Sequence, residues 1–139
     1  IEFRKIRVEK KYARRIPQVL VDPEKMKIAF LNIIVNAIEA IEKSDGKIEI
    51  ETEAVEGKCI VRISDNGPGI PQDQLDRLFE PFFTSKEKGT GLGLTNTQNI
   101  ILSHQGSIRV QSEPGAGTRF IIAFNLHDGN AVALEASPQ

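Results

Sequence analysis

The sequence predicts an α+β fold, a two-layer α/β sandwich with a mixed, mostly antiparallel sheet and its helices packed on one face. Three observations lead there. A long stretch from Asp22 to about Lys43 carries apolar residues at helical spacing behind a strong start signal. Four shorter stretches alternate or run apolar and pair as two hairpins around turn residues. The order of elements is strands, helix, hairpin, helix, helix, hairpin, which suits helices gathered on one side of a sheet.

Ile1 to Tyr12 alternates loosely, with Phe3, Ile6 and Val8 among charges, and reads as an edge strand; Gln18 to Val21 reads as a second short extended piece. At Asp22-Pro23-Glu24 the aspartate caps a helix, proline suits its first turn, and glutamate suits its positive end. Ile28, Leu31, Ile34, Val35, Ile38 and Ile41 are expected to face the sheet from this helix, which Ser44-Asp45-Gly46 should end. Lys47 to Glu53 and Lys58 to Ser64 form a hairpin around Glu56-Gly57. Asp65 to Ile70 is a turn-rich loop, Pro71 to Leu78 a short helix, and Phe79 to Gly89 irregular. Thr90 to Ser103 reads as a helix, with Leu92, Leu94, Ile100, Ile101 and Leu102 apolar. Gly106 to Ser112 and Thr118 to Asn125 form the last hairpin, joined by Glu113-Pro114-Gly115-Ala116-Gly117. Residues 1–126 are read as one domain and 127–139 as a flexible tail, small and polar in composition.

The chain has 139 residues, 40% hydrophobic and 27% charged, enough for one domain with a real core. A formal net charge of −1 gives no electrostatic case for nucleic acid or an anionic membrane. Its single cysteine, Cys59, lies in the apolar run Cys59-Ile60-Val61 and reads as a small core residue in a reducing compartment. No apolar stretch approaches the roughly 20 residues that span a bilayer, and there is no signal peptide. The expected location is the cytoplasm, with the parent protein either free there or anchored to a membrane. A start at Ile1 without methionine suggests a domain excised from a longer protein.

Five motifs carry chemistry. Asn32, Asn36, Glu39 and Lys43 are spaced by four, three and four, so they form one polar stripe on the long helix. A merely solvated stripe would favour Lys and Glu over two asparagines, which are poor helix formers. Asp65-Asn66-Gly67-Pro68-Gly69-Ile70 follows a strand directly. An ionised carboxylate only accepts, so Asp65 suits the amino group of adenine and repels the carbonyl that guanine offers there. Gly67 and Gly69 allow a tight turn and close backbone approach. Phe79-Glu80-Pro81-Phe82-Phe83-Thr84-Ser85-Lys86 has no clean period and reads as a pinned loop. Gly89-Thr90-Gly91-Leu92-Gly93-Leu94 opens a helix, so backbone N–H groups and the helix dipole converge on an anion. Its spacing is not that of G-x-G-x-x-G, because position 94 is Leu, and no G-x-x-x-x-G-K-[ST] occurs. Gly117-Thr118 opens the final strand.

In this order the motifs outline a site for Mg·ATP, and from about Val19 to Phe124 the chain resembles the catalytic ATP-binding domain of bacterial two-component sensor histidine kinases. These belong to the wider class with type II topoisomerase ATPase domains, Hsp90 and MutL, whose fold is of Bergerat type. The resemblance implies that Asn36 gives its side-chain oxygen to Mg²⁺, with Asn32 near the phosphates and Glu39 a lesser catalytic candidate. It implies that Phe79 to Lys86 is the hinge of a nucleotide lid; Lys86 reads equally as a point charge reaching the phosphates and as a solvated loop lysine. Asp65, Gly67, Gly69 and Ile70 would hold the base. Gly89, Thr90, Gly91, Leu92, Gly93 and Leu94 would hold the phosphates, and Thr118 would reach adenine through water. The lid is short, Thr84 to Lys88 between Phe83 and Gly89, as in the nitrogen-regulation type.

Topoisomerase-like and MutL-like relatives carry a water-activating glutamate four residues before the Mg-binding asparagine; this chain has Asn32 there. The expected activity is therefore transfer of the ATP γ-phosphate to a histidine, and an ATP-hydrolysing conformational switch is the alternative. A non-catalytic binding module and a serine-directed kinase are remoter readings. His104 and His127 are the only histidines, and His104 reads as a cation suited to a helix end, so neither looks like the acceptor. Implied partners are a dimerisation domain of the same parent protein, which carries the acceptor histidine, and the receiver domain of a response regulator. The parent is expected to be a homodimer and the isolated domain a monomer.

Overall fold

A computed structural model describes residues 5–15, 18–41, 45–81 and 93–126. Its elements run β1 (Lys5–Lys11), α1 (Pro23–Ala40), β2 (Asp45–Val55), β3 (Lys58–Asp65), α2 (Gln72–Leu75), α3 (Gly93–Ser103), β4 (Ser107–Glu113) and β5 (Gly117–Asn125). The strands make one sheet in the order β1-β2-β3-β5-β4. β1 pairs parallel to β2 and every other pair is antiparallel, the mixed sheet that the sequence predicts. The β2–β3 hairpin turns on Glu56 and Gly57, both at positive φ (46° and 78°), a twist that matches the flanking strands.

α1 begins as its sequence dictates. The Asp22 carboxylate accepts from the N–H groups of Glu24 and Lys25 at 3.0 and 3.3 Å, and Pro23 occupies the first turn. It ends earlier than expected. The helix stops at Ala40, and Ile41 turns into extended backbone with its side chain fully buried. Asp45-Gly46 opens β2, so it does not cap α1. Gln18 to Val21 joins no strand, and its apolar members Val19 and Val21 pack against the core.

The larger correction concerns which face of α1 is inward. Met26, Ala29, Ile33 and Ala37 are buried, with Phe30 and Ile34 partly so. Ile28, Leu31, Val35 and Ile38, expected at the sheet, are 48, 59, 41 and 37% exposed. Both sets recur at helical spacing, so periodicity alone cannot choose between them. The inward face is the one with the small alanines, which let α1 lie close to its neighbours. The core it joins comprises Ile41, Ile48, Ile63, Ile101, Phe120, Ile122 and Phe124.

α1 and α3 cover one face of the sheet. The other face carries ion pairs and hydrogen bonds: Arg62 to Glu53 at 2.7 Å, Lys11 to Glu49 at 2.9 Å, and Arg119 to Ser64 at 3.0 Å. Cover is incomplete toward β1. There an apolar cleft of about 620 Å³ opens between Phe30 and Ile34 of α1 and Ile50, Val61 and Ile63 of the sheet.

Truncation should separate the two faces of α1. Ile33→Ala is expected to cost about 3 kcal/mol in urea unfolding, in line with buried aliphatic deletions. Leu31→Ala should stay within about 0.5 kcal/mol, as exposed positions do.

Candidate functional site

The polar stripe of α1 meets α3 at its start. The Asn32 side-chain amide donates to the Gly93 carbonyl and to Thr97 Oγ1, both at 3.2 Å. Thr97 is completely buried and donates in turn to the Ala29 carbonyl at 3.4 Å. Both amide hydrogens of Asn32 are thus committed to α3, which leaves its oxygen as the group able to meet a ligand. The far ends of the two helices are tied as well. The Asp22 N–H donates to His104 Nε2 at 3.1 Å, and His104 Nδ1 lies 2.8 Å from the Ile100 carbonyl. That pairing requires the proton on Nδ1 and a neutral ring, so His104 is a tie between helices rather than the dipole-facing cation its position suggested. Asn36 is half-buried and Glu39 exposed on the same stripe.

The loop after β3 is held from three sides. Asp65 Oδ1 accepts from the Gly67 N–H at 2.8 Å. Asn66 accepts from the Lys47 N–H at 2.8 Å and donates to the Asp45 carbonyl at 3.1 Å, so it works as a splint on β2. Opposite, Ser112 Oγ accepts from the Ile70 N–H and donates to the Gly117 carbonyl, each at 2.8 Å. With that hydrogen committed, Thr118 Oγ1 is the donor in its 2.9 Å bond to Ser112, and its lone pairs are left for another donor. Two glycines allow this interlock. Gly69 has φ +81° and Gly117 φ +94°, and a Cβ would come within 2.1 Å of the Glu113 carbonyl at the first and 2.2 Å of the Asp65 carbonyl at the second. No other residue fits either position without moving backbone.

Burial pushes the Asp65 carboxyl above the usual carboxylate range, against the opposing pull of the Gly67 and Thr118 backbone N–H groups. Asp65 lines a cavity of about 710 Å³ with Ser112 and Thr118 on one wall and Gln72, Leu75 and Asp76 on the other. Its lining also includes Ser64, Gln111 and Arg119 from the polar face of the sheet and neither Asn32 nor Asn36, so this space adjoins Asp65 without reaching the asparagine stripe.

Between these parts the chain passes through residues 82–92. Lys86, Gly89, Thr90, Gly91 and Leu92 therefore lie outside the described residues. Both flanks are tied down: Thr95 Oγ1 donates to the Phe79 carbonyl at 2.8 Å, and Asn32 holds the Gly93 carbonyl. The side chains of Phe79 and Leu94 pack against the core. At Gly93 a Cβ would meet nothing nearer than 3.9 Å, an ordinary contact.

Sequence reasoning brought Asp65, Gly67, Gly69, Ile70 and Thr118 into one neighbourhood, and Asn32 with Gly93 into another. It passed over Thr97, Ser112, Thr95 and the tie through His104. A single hydroxyl in a helix or strand carries no pattern. The one usable signal was Thr97 standing at an inward position of an apolar helix.

Against known proteins, residues 21–128 match the family of histidine kinase-, DNA gyrase B-, and HSP90-like ATPases. The chain belongs to this family. It is 47% identical over 103 residues to sporulation kinase A of Bacillus subtilis, covering 74% of this chain and 17% of that one. It is 40% identical over 126 residues to the sensory histidine kinase/phosphatase NtrB of Vibrio alginolyticus, covering 83% and 36%. The nucleotide-free catalytic domain of histidine kinase ThkA superposes with a TM-score of 0.77 at 33% identity, covering 87% and 79%. The fold and the class are those of a histidine kinase catalytic domain. The chain spans about a sixth to a third of the length of these curated relatives.

Two substitutions probe the site without nucleotide. Thr97→Val keeps shape but strands one Asn32 amide hydrogen; it should lower stability by about 1–2 kcal/mol, with Thr97→Ser restoring most of it. The raised pKa means the fold disfavours the ionised Asp65, a cost present above that pKa and relieved as pH falls through it. Asp65→Asn should therefore melt no lower than wild type near neutral pH, and its advantage should shrink as pH falls through the Asp65 pKa, which melting curves across pH would show.

Proposed function

We propose that residues 1–126 bind Mg·ATP and pass its γ-phosphate to a histidine on a separate dimerisation domain of a longer sensor kinase. The observation that carries this reading is the half-buried Asp65 carboxyl, oriented by the Gly67 N–H and lining a cavity with Thr118, a placement that suits a donor such as the adenine amino group. Gly67, Gly69 and Ile70 shape that end. Thr118, its hydrogen committed to Ser112, accepts from the base through water.

At the phosphate end Asn36 offers an amide oxygen to Mg²⁺. Among the described residues no group of three or more His, Cys, Asp and Glu could hold a metal. One neutral oxygen still fits Mg²⁺, which commonly keeps waters and takes phosphate oxygens beside one or two protein groups. When bound, the ion neutralises charge on the phosphates. Asn32 turns its oxygen to the same space, and Glu39 stands one turn further along. Lys86 and the backbone of Gly89, Thr90, Gly91, Leu92, Gly93 and Leu94 receive the phosphates, with Phe79 as the hinge of the lid.

Hydrolysis would need a base near position 32, and there the structure has an amide whose nitrogen is fixed on α3. This supports transfer over water attack. The receiving chain is the acceptor-bearing domain of the same cytoplasmic, homodimeric parent, and a response regulator takes the phosphate from it. Residues 127–139 act as a tail.

Calorimetry on this chain should show Mg·ATP binding weakened by about 1–3 kcal/mol in Asp65→Asn. With γ-labelled ATP, the longer polypeptide should acquire acid-labile, alkali-stable label, the mark of phosphohistidine. Label released only as free phosphate would contradict transfer.

A further inference from the structure

One register row crosses three strands and ends at the base site. Asp65 of β3 stands opposite Thr118 of β5, and Thr118 stands opposite Ser112 of β4. Residues opposite one another in a sheet share a face, so the three side chains stand in line with Thr118 in the middle. The Thr118 N–H also bonds the Asp65 carboxyl, which makes the threonine hydroxyl and the carboxyl neighbours.

The hydrogens at Ser112 can be assigned in one way. A serine oxygen has one hydrogen and two lone pairs. The hydrogen goes to the Gly117 carbonyl at 2.8 Å, and one lone pair takes the Ile70 N–H at 2.8 Å. The other faces Thr118 Oγ1 at 2.9 Å, where only a donor can meet it. Thr118 therefore spends its one hydroxyl hydrogen on Ser112 and turns only lone pairs outward. A threonine hydroxyl without that partner rotates and serves as donor or acceptor alike. Thr118 is 8% exposed, so bulk water does not take the partner's place.

We propose that Ser112 is a positioning residue that sets base specificity: by holding the Thr118 hydroxyl as an acceptor, it makes the site select a 6-aminopurine over a 6-oxopurine. This rests on the Mg·ATP reading above. An ionised Asp65 also only accepts. A water bridging Thr118 to Asp65 gives one hydrogen to each and has only lone pairs left for the base. Those lone pairs receive an amino hydrogen of adenine and repel a carbonyl oxygen at the same ring position. Asp65 alone does not enforce this. Beside a freely rotating threonine, the water accepts from the hydroxyl and keeps a hydrogen to give to a carbonyl. Ser112 closes that route, so the wrong base leaves acceptor facing acceptor, the mismatch that polar sites reject most strongly.

The test compares Mg·ATP with its inosine counterpart, whose base differs at ring position 6 and in the N1 hydrogen that follows from it. Calorimetry on the 139-residue chain should show wild type favouring ATP by about 100-fold and Ser112→Ala by only about tenfold. A residue that merely supports the fold would weaken both nucleotides equally and leave the ratio unchanged. Ser112→Thr keeps the hydroxyl and should restore the preference. Thr118→Val should lose the same selectivity, and adding Ser112→Ala to it should alter the ratio no further, because both act through one bond. Should Ser112→Ala melt below the assay temperature, Ser112→Cys, close in shape and a weak donor, carries the same expectation. An unchanged ratio, or a further fall in the double variant, overturns the proposal. Wild type binding both nucleotides equally overturns it while the ATP reading stands, and wild type binding neither overturns both.

Discussion

The antiparallel contact between α1 and α3 is the constraint on which the rest of the structure depends. Ala29 lies directly against α3, where its small side chain leaves room for Thr97, and the contact is specific because a polar group buried within it must find partners. Thr97 meets that demand at one end, and an exposed bond from the Asp22 N–H to His104 ties the other. Sliding either helix by one residue would break both ties and leave the buried Thr97 hydroxyl unmatched. The contact thereby fixes the position of Gly93 and how the Asn32 amide is turned. Asn36, one turn further along, takes its direction from the same rotation of α1. Apolar packing holds the helices together, while hydrogen bonding decides their register.

A second interlock forms the other half of the site. The loop 65–70 and the β4–β5 hairpin approach so closely that Gly69 and Gly117 have no room for a side chain. Ser112 distributes its bonds among three residues there, which fixes the rotor of Thr118. Asp65 stands in the middle with its charge disfavoured by burial. Replacing it would remove both the acceptor of the Gly67 N–H and the group best placed to recognise a base. The core connects the halves: Ile33 and Ile101 from the helices meet Ile63, Phe120 and Ile122 from the strands that end at Asp65 and Thr118.

Much of this was legible in the sequence, for physical reasons that differ between elements. Hairpins announce themselves through alternation and turn residues, and α1 through its capping aspartate and proline, because those signals are local. The tight turn at Gly69 was legible because backbone at positive φ admits few alternatives; the close approach at Gly117 was not. The inward face of α1 was not. Large aliphatic residues outweigh alanine in any periodicity, yet the alanines are what allow close approach, and Ile28, Leu31, Val35 and Ile38 lie outside. Thr97, Ser112 and His104 were equally hidden, since their partners are 42 to 82 residues away except for bonds within the last hairpin and helix. Pairing over that distance is a property of the fold and leaves no local trace.

The most direct measurement is a crystal structure of this chain with Mg²⁺ and a non-hydrolysable ATP analogue. The account predicts the adenine amino group donating to Asp65, the Asn36 side-chain oxygen in the Mg²⁺ shell at about 2.1 Å, and the Asn32 amide still holding the Gly93 carbonyl. A nucleotide seated away from Asp65, or Mg²⁺ bound without Asn36, would contradict it.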